Sequence, residues 1–242
     1  MDRVYRSFTY KEANIRYVSR FPEIMEKTIR RSRNRLDEYI SVNPIFRTSL
    51  VPVELIGSAP ESARRMHEAA LKTGTGPMAA VAGTMAQLAA EAVSEAGDDD
   101  IIVENGGDIF LISRYPVTLG LYAGSSRIGG TLSLRISPEM MPLAVCSSSG
   151  KMGHSLSLGN CDLATVISKD GALADAAATL ACNLVKTQAD IQPVLDYIRN
   201  IDGIQGIMII KDDKAGLSGT LPEIVKTDDS GLKNKITRDR NG

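Results

Sequence analysis

Residues 101–112 read IIVENGGDIFLI and place Asn105-Gly106 between two apolar runs. Asn-Gly in that setting is a strong signal for a β-hairpin, because both residue types tolerate the positive φ angles of a tight turn. A hairpin explains Gly106 and Gly107 without any function. It does not explain Asp108, whose carboxylate opens an apolar strand.

The segment before this hairpin reads TGTGPMAAVAGTMAQLAA (73–90). Small residues surround the predicted helix on all sides, so we expect it to be buried and closely approached by neighbouring backbone. Its glycine-rich entry, Gly74 and Gly76, can alternatively offer free backbone N–H groups to a phosphate. The GxxxxGK[ST] pattern does not occur, which excludes a P-loop.

On the other side, LAVCSSSG (143–150) predicts a buried strand that runs into a polar loop containing His154. Ligand-binding loops are typical of the ends of buried strands. No G-x-S-x-G motif surrounds these serines, so the sequence does not indicate a serine hydrolase. An imidazole can act as a general base near neutral pH, which makes His154 the catalytic candidate; the alternative is a loop histidine bonded to backbone.

An alanine-rich helix is predicted over residues 171–186, and it carries Asp175 and Thr179. Residues four apart lie on the same helix face, so the two side chains could give two hard oxygen ligands to Mg²⁺ or Ca²⁺. In the alternative interpretation, Asp175 serves the N-terminal turn of its own helix and Thr179 bonds a carbonyl of that helix.

The remaining pattern predicts a mixed α/β (α+β) protein with one domain over residues 1–226 and a disordered polar tail over residues 227–242. A strand pair is expected within 6–18 and an amphipathic helix over 22–40. Further strands are expected over 51–56, 119–123, 131–136, 163–168, 204–211 and 219–226, with a turn at Gly216. Two more helices are expected, one starting near residues 58–61 and one over 192–199.

Composition narrows the class of protein. The 242 residues include 43% hydrophobic and 24% charged residues, and the net charge is −1. A near-neutral chain argues against nucleic-acid binding.

No signal peptide or membrane-spanning run is visible, so the cytoplasm is the expected location. Three cysteines without CxxC spacing fit a reducing compartment; we expect Cys146 and Cys182 in the core and Cys161 exposed.

Four motifs in order resemble a known family: AGTMAQLAAE (82–91), VENGGDIFL (103–111), CSSSG (146–150) and ALADAAATLACN (172–183). They resemble the ApbE family of flavin transferases, which carry a KGYAVD-type helix, an NLGGDI strand, a TSG loop and an ADALATAL helix. They are closer to a shorter ApbE-like family with GPMAAVAG, ENGGD, SSSGxxGHS and ADAAAT. The resemblance runs from about residue 5 to 225 and implies a T-fold-like domain.

The resemblance also implies a chemistry, in which FAD binds with Mg²⁺ and FMN is transferred to a Ser or Thr hydroxyl of an acceptor protein. Asp175, Thr179 and a backbone carbonyl near Val81 would bind the metal, and His154 would be catalytic. The residues expected to bind FAD or FMN are Gly74, Gly76, Asn105, Gly106, Gly107, Asp108, Ser148, Ser149 and Gly150.

Two substitutions depart from the flavin transferases: Ala82 replaces the lysine of their helix and Gln87 replaces its aspartate. The segment after the serine-rich loop is also shorter. Two alternatives therefore stay open, a non-catalytic flavin- or nucleotide-binding protein and a sulfur-assimilation protein of homocysteine formation that uses its thiols. A homodimer is possible in each case.

Overall fold

The computed structural model describes residues 3–123, 132–150 and 161–226, and it confirms a mixed α/β fold. Strands β1–β11 span Arg6–Tyr10, Ala13–Val18, Asp100–Asn105, Asp108–Ser113, Val117–Gly120, Leu132–Ile136, Leu143–Ser148, Leu163–Ser168, Ile204–Lys211, Lys214–Gly219 and Glu223–Lys226. Helices α1–α6 span Pro22–Val42, Ile45–Thr48, Glu61–Thr73, Val81–Glu95, Gly171–Leu184 and Ile191–Arg199. The predicted tail over 227–242 lies outside the described residues.

Two antiparallel sheets organise the chain. The larger sheet has eight strands in the order β1-β2-β3-β4-β7-β8-β9-β10, and the smaller has the order β11-β6-β5. The predicted hairpin joins β3 to β4: Asn105 pairs with Asp108, and Gly106 and Gly107 have φ angles of 65° and 109°. Both angles are positive, as a two-residue turn of this kind requires.

The large sheet is covered on both faces, which explains its continuous apolar strands. In β9, Ile207 and Ile209 join the core beneath the helices, whereas Met208 and Ile210 join the core shared with the small sheet. Successive side chains of a strand point to opposite faces, so a strand in the middle layer must be apolar at every position. The molecule therefore has three layers: helices, large sheet and small sheet.

The segment 51–56, predicted as a strand, forms no strand in the structure. Side chains of α1 and α3 instead bond to two backbone groups of this segment. The Tyr39 hydroxyl accepts the Ile56 N–H at 3.0 Å, and His67 Nδ1 lies 2.9 Å from the Val53 carbonyl oxygen. The prediction of a strand here is therefore wrong.

The turn predicted at Gly216 is also wrong. Gly216 lies inside β10 opposite Ile209, and the chain turns earlier, at Asp212-Asp213 between β9 and β10. A Cβ on Gly216 would lie 2.4 Å from Ile191 Cγ2 and 2.8 Å from Leu195 Cδ1. This glycine therefore lets α6 pack directly on the strand, which is a second common reason for glycine in a sheet.

Within the described part of the chain, no helix is both long and apolar enough to cross a membrane. The expected division into one domain over 1–226 and a tail stays a prediction.

Tyr39→Phe should lower the free energy of unfolding by about 1–2 kcal/mol, because the hydroxyl serves both Ile56 N–H and Asn43 Nδ2 in a buried position. Urea denaturation measures the change. Tyr197→Phe is the matched control, since Tyr197 is 55% exposed and its hydroxyl loss should cost little. Equal urea midpoints of unfolding for Tyr39→Phe and Tyr197→Phe would contradict a stabilising role of the Tyr39 hydroxyl bonds.

Candidate functional site

The candidate site lies where the β3–β4 hairpin, the end of β7 and the first turns of α4 and α5 meet. Strands β4 and β7 are paired with Ile109 opposite Val145, so Asp108 and Cys146 are the next residues along the same register. Asn105 Nδ2 donates to the Ala82 carbonyl oxygen at 3.2 Å and ties the hairpin to α4. Motifs far apart in sequence thus converge, as the predicted site requires.

The first turns of α4 and α5 are in backbone contact, which confirms the close approach predicted for the small-residue helix. A Cβ on Gly83 would lie 2.2 Å from the Gly171 carbonyl oxygen and 2.9 Å from Asp175 Cβ. Alanine at position 83 therefore cannot be accommodated without moving α5. Glycine at both positions brings Asp175 against the start of α4.

Asp175 caps the neighbouring helix rather than its own. Helix α4 begins after Ala80, which has no side chain able to cap it, and Asp175 Oδ2 accepts the Gly83 N–H at 2.9 Å. Helix α5 has its own N-cap, Asp170, whose side chain accepts the Leu173 N–H. The interpretation in which Asp175 serves its own N-terminal turn is therefore wrong.

Thr179 lies one helical turn after Asp175 and is half-buried, and Val81 is the half-buried first residue of α4. The structure thus places Asp175 and Val81 at one helix contact, with Thr179 on the next turn of α5. Their binding of a metal stays a prediction.

Asp108 and Asp175 form a buried pair of carboxyl groups. Their exposed fractions are 7% and 8%. Burial raises the pKa of the Asp108 carboxyl to about 7, although interactions with the Cys146 side chain and the Ser147 backbone act in the opposite direction. Burial, and next the charge of Asp108, raises the pKa of Asp175 well above its usual value despite bonds from the Gly83 and Ala82 N–H groups.

One oxygen of this pair, Asp108 Oδ1, is buried and has no hydrogen-bond partner among the residues that the structure describes. A buried carboxylate without a partner is costly, and a bound cation removes that cost by supplying opposite charge. Carboxylate, hydroxyl and carbonyl oxygens are the ligands that Mg²⁺ prefers, so the donor set here fits that ion.

In residues 3–123, 132–150 and 161–226, no group of three or more histidine, cysteine, aspartate or glutamate side chains is arranged to hold a metal ion. Any cation at the Asp108–Asp175 pair would need oxygen ligands of other kinds, such as the Thr179 hydroxyl and a backbone carbonyl.

The serine-rich loop follows β7 directly and lies beside the hairpin tip. Ser148 closes β7, and Ser148, Ser149 and Gly150 are half-buried. A Cβ on Gly107 would lie 3.9 Å from the Ser147 carbonyl oxygen, so the tip and the loop are neighbours. Gly106 is exposed and Gly107 half-buried, which leaves their backbone accessible to a ligand.

Gly74 and Gly76 have structural explanations of their own. Gly74 ends α3 in the left-handed conformation with φ of 72°, a common C-terminal cap. A Cβ on Gly76 would lie 1.9 Å from the Ser49 carbonyl oxygen, so its backbone is pressed against another segment. Their assignment to a ligand stays a prediction.

His154 lies outside the described residues.

Cys161 was expected to be exposed, and the structure shows it fully buried, as are Cys146 and Cys182. A hydrogen bond with Cys182, followed by burial, raises the pKa of Cys161; burial raises that of Cys146. Neutral, inaccessible thiols are poor nucleophiles. The arrangement gives no support to a sulfur-carrying role for these cysteines.

Sequence reasoning missed two participants. Cys146 lies in the core as predicted, and it is also next to the Asp108 carboxyl; its thiol donates to the Gly171 carbonyl oxygen at 3.7 Å. The strand register opposite Asp108 was the signal that could have identified it. Gln87 was noted only as a substitution, and the structure shows that its Oε1 accepts the Gly171 N–H at 2.7 Å.

Comparison with known proteins supports the same family throughout. A family model described as "AbpE bacteria" matches residues 13–201. A UPF0280 protein of Methanococcus maripaludis strain C7 is 43% identical over 213 residues, covering 86% of each chain. A UPF0280 protein of Methanocella arvoryzae is 45% identical over 199 residues, covering 82% of this chain and 81% of the relative.

Solved structures show the same fold at low sequence identity. The flavinyl transferase ApbE of Pseudomonas stutzeri, in its apo form, has a TM-score of 0.54 and 12% identity, with 98% of each chain covered. The ApbE protein of Thermotoga maritima has a TM-score of 0.52 and 13% identity, covering 97% of this chain and 100% of its own.

In the metal-free wild type, the free energy of unfolding should fall as the pH rises from about 4 to about 7. Asp108→Asn should abolish this fall. The unfolded carboxyl loses its proton near pH 4, while the folded one holds it to about pH 7, so the unfolded state binds fewer protons in that window and stability falls as pH rises. The difference should be on the order of a few kcal/mol.

Denaturation of chelator-treated protein across this pH range, compared with the exposed control Asp196→Asn, measures the effect. Parallel pH profiles for the wild type and Asp108→Asn would contradict the raised pKa.

Proposed function

Because the chain belongs to the ApbE-like family of UPF0280 proteins, we propose that it binds a flavin nucleotide together with Mg²⁺ and transfers FMN from FAD to an acceptor hydroxyl. The observation that carries this proposal is the buried Asp108–Asp175 pair, in which Asp108 Oδ1 has no partner among the described residues. The fold shared with a flavinyl transferase supports it at the level of architecture.

The metal would be held by Asp175, with Thr179 and a carbonyl near Val81 as further oxygen ligands and Asp108 beside them. When bound, Mg²⁺ supplies positive charge that offsets the charge of the pyrophosphate as it is cleaved. The protein's own contribution is to hold Asp175 at the start of α4, where the positive end of the helix dipole favours a carboxylate.

The flavin nucleotide would lie against the exposed hairpin tip, Gly106 and Gly107, and the loop of Ser148, Ser149 and Gly150. Backbone N–H groups and serine hydroxyls there can donate to phosphate oxygens. Gly107 and the Ser147 backbone are neighbours, so one ligand can contact both segments.

In the transfer step, the acceptor hydroxyl oxygen forms a bond to the FMN phosphorus and the P–O bond of the pyrophosphate breaks. AMP leaves, and His154 accepts the proton of the hydroxyl. A histidine suits this role because neutral imidazole is abundant near pH 7.

Ala82 and Gln87, which replace the lysine and the aspartate of the flavin transferases, both make structural contacts. The Ala82 carbonyl oxygen accepts from Asn105, and Gln87 Oε1 accepts the first N–H of α5. A contact with the flavin nucleotide that lysine makes in the flavin transferases must here come from other groups.

Asp175→Asn should abolish the Mg²⁺-dependent stabilisation of the protein by FAD. For wild type at an FAD concentration of about 100 Kd, mass action raises the unfolding free energy by about 2.7 kcal/mol, which is about 5–10 °C in Tm. Thermal denaturation with FAD, FMN or ATP, each with and without Mg²⁺, measures it. Asparagine keeps an acceptor for the Gly83 N–H, and Asp196→Asn is the exposed control. A wild type that no flavin stabilises would refute the proposal.

His154→Asn should reduce AMP release from FAD at least about 100-fold, while the Mg²⁺-dependent FAD shift in Tm remains. The chain's other histidine gives the control: His67→Asn disturbs the contact with Val53 and should keep AMP release in the folded protein. FAD binding without AMP release in wild type would instead favour the non-catalytic alternative.

A further inference from the structure

At the contact between α4 and α5, a side chain of each helix accepts an N–H from the first turn of the other. Asp175 of α5 accepts an N–H from the first turn of α4, and Gln87 of α4 accepts the N–H of Gly171, the first residue of α5, at 2.7 Å. The two bonds lie on either side of the Gly83–Gly171 contact. Each helix therefore fixes the N-terminal end of the other.

The Gln87 side chain is itself held at its other end. Its Nε2 donates to Glu91 Oε1 at 2.8 Å, one turn along α4. Arg65 of α3 donates to the same Glu91 oxygen at 2.9 Å and also to Glu61. A chain of bonds thus runs from the first turn of α3 through α4 to the first N–H of α5.

The Gln87 amide has a partner at each end: its carbonyl oxygen accepts the Gly171 N–H and its nitrogen donates to Glu91. These bonds link Gln87 to the N-terminal end of α5. Through them, Gln87 can act on a cation by setting the position of α5. Asp175 lies one turn beyond Gly171, so a shift of the α5 terminus moves the carboxylate relative to Asp108.

We propose that Gln87 is a positioning residue, whose amide bridges the first N–H of α5 to Glu91 and thereby holds Asp175 opposite Asp108 for cation binding. This inference rests on the proposed function, since it concerns the same metal. Groups that orient metal ligands from behind commonly change metal affinity 10- to 100-fold when removed.

The test compares four proteins: wild type, Gln87→Leu, the exchange Gln87→Glu with Glu91→Gln, and Gln192→Leu. The exchange keeps the same hydrogen bonds and moves the negative charge from position 91 to position 87. A carboxylate at 87 can accept from Gly171, and an amide oxygen at 91 can still accept from Arg65. Gln192 is the matched control, since it donates to Asp196 four residues on at 2.8 Å on the exposed face of helix α6.

The first measurement is Mn²⁺ affinity by electron paramagnetic resonance, with Mn²⁺ as a probe for the Mg²⁺ site. Gln87→Leu should bind Mn²⁺ about tenfold more weakly. The exchange variant and Gln192→Leu should bind within about twofold of wild type. A merely structural loss would lower Tm in Gln87→Leu without changing Mn²⁺ affinity of the folded protein, and that result would overturn the inference.

The second measurement needs no metal. Hydrogen exchange of the Gly171 amide in chelator-treated protein should be at least about tenfold faster in Gln87→Leu and close to wild type in the exchange variant. Unchanged exchange in Gln87→Leu would also overturn the inference. A wild type that binds no Mn²⁺ while Gly171 exchange responds as expected would refute the proposed metal and leave the positioning of α5 by Gln87 established.

Discussion

The site depends on two helices that cap each other. Helix α4 follows Ala80, whose side chain cannot bond the free N–H groups of the first turn, and a carboxylate from α5 accepts one of them instead. In return, a glutamine from α4 accepts the first N–H of α5. Both bonds require backbone contact between the helices, which the facing residues Gly83 and Gly171 allow. The small residues at this contact therefore serve the two bonds as well as the packing of the core.

Burying two carboxyl groups in the same place opposes folding unless something compensates for their charge. In the absence of a cation, protonation does so, because burial raises both pKa values. A divalent ion would do so more completely by ionising both groups and pairing Asp108 Oδ1. The same geometry therefore makes the stability of the metal-free protein depend on pH, and under the proposed function it would also supply the binding energy of the metal. Stability and metal binding would then be coupled through this one pair of side chains.

Much of this architecture was predictable from local pattern. The hairpin at Gly106-Gly107 and the helices carrying Ala82 and Asp175 follow from turn chemistry and from side-chain size. The failures have one cause, which is that a local pattern does not reveal its partner. Residues 51–56 form no strand, and side chains of α1 and α3 bond to two of their backbone groups. Gly216 serves the packing of α6 and not a turn, and Cys161 is buried although polar residues flank it. The direction of the Asp175 bond depended on α4, which no spacing within α5 could indicate.

The small sheet has a consequence for how the chain is made. Its strand β11, Glu223–Lys226, pairs with β6, Leu132–Ile136, about ninety residues earlier in the chain. During synthesis, β5 and β6 leave the ribosome long before β11, so the small sheet stays incomplete until the chain has been made to residue 226. Pairing over such a separation is slow, because the intervening chain must first be brought together. The last described strand therefore completes the small sheet only after every described helix has been made.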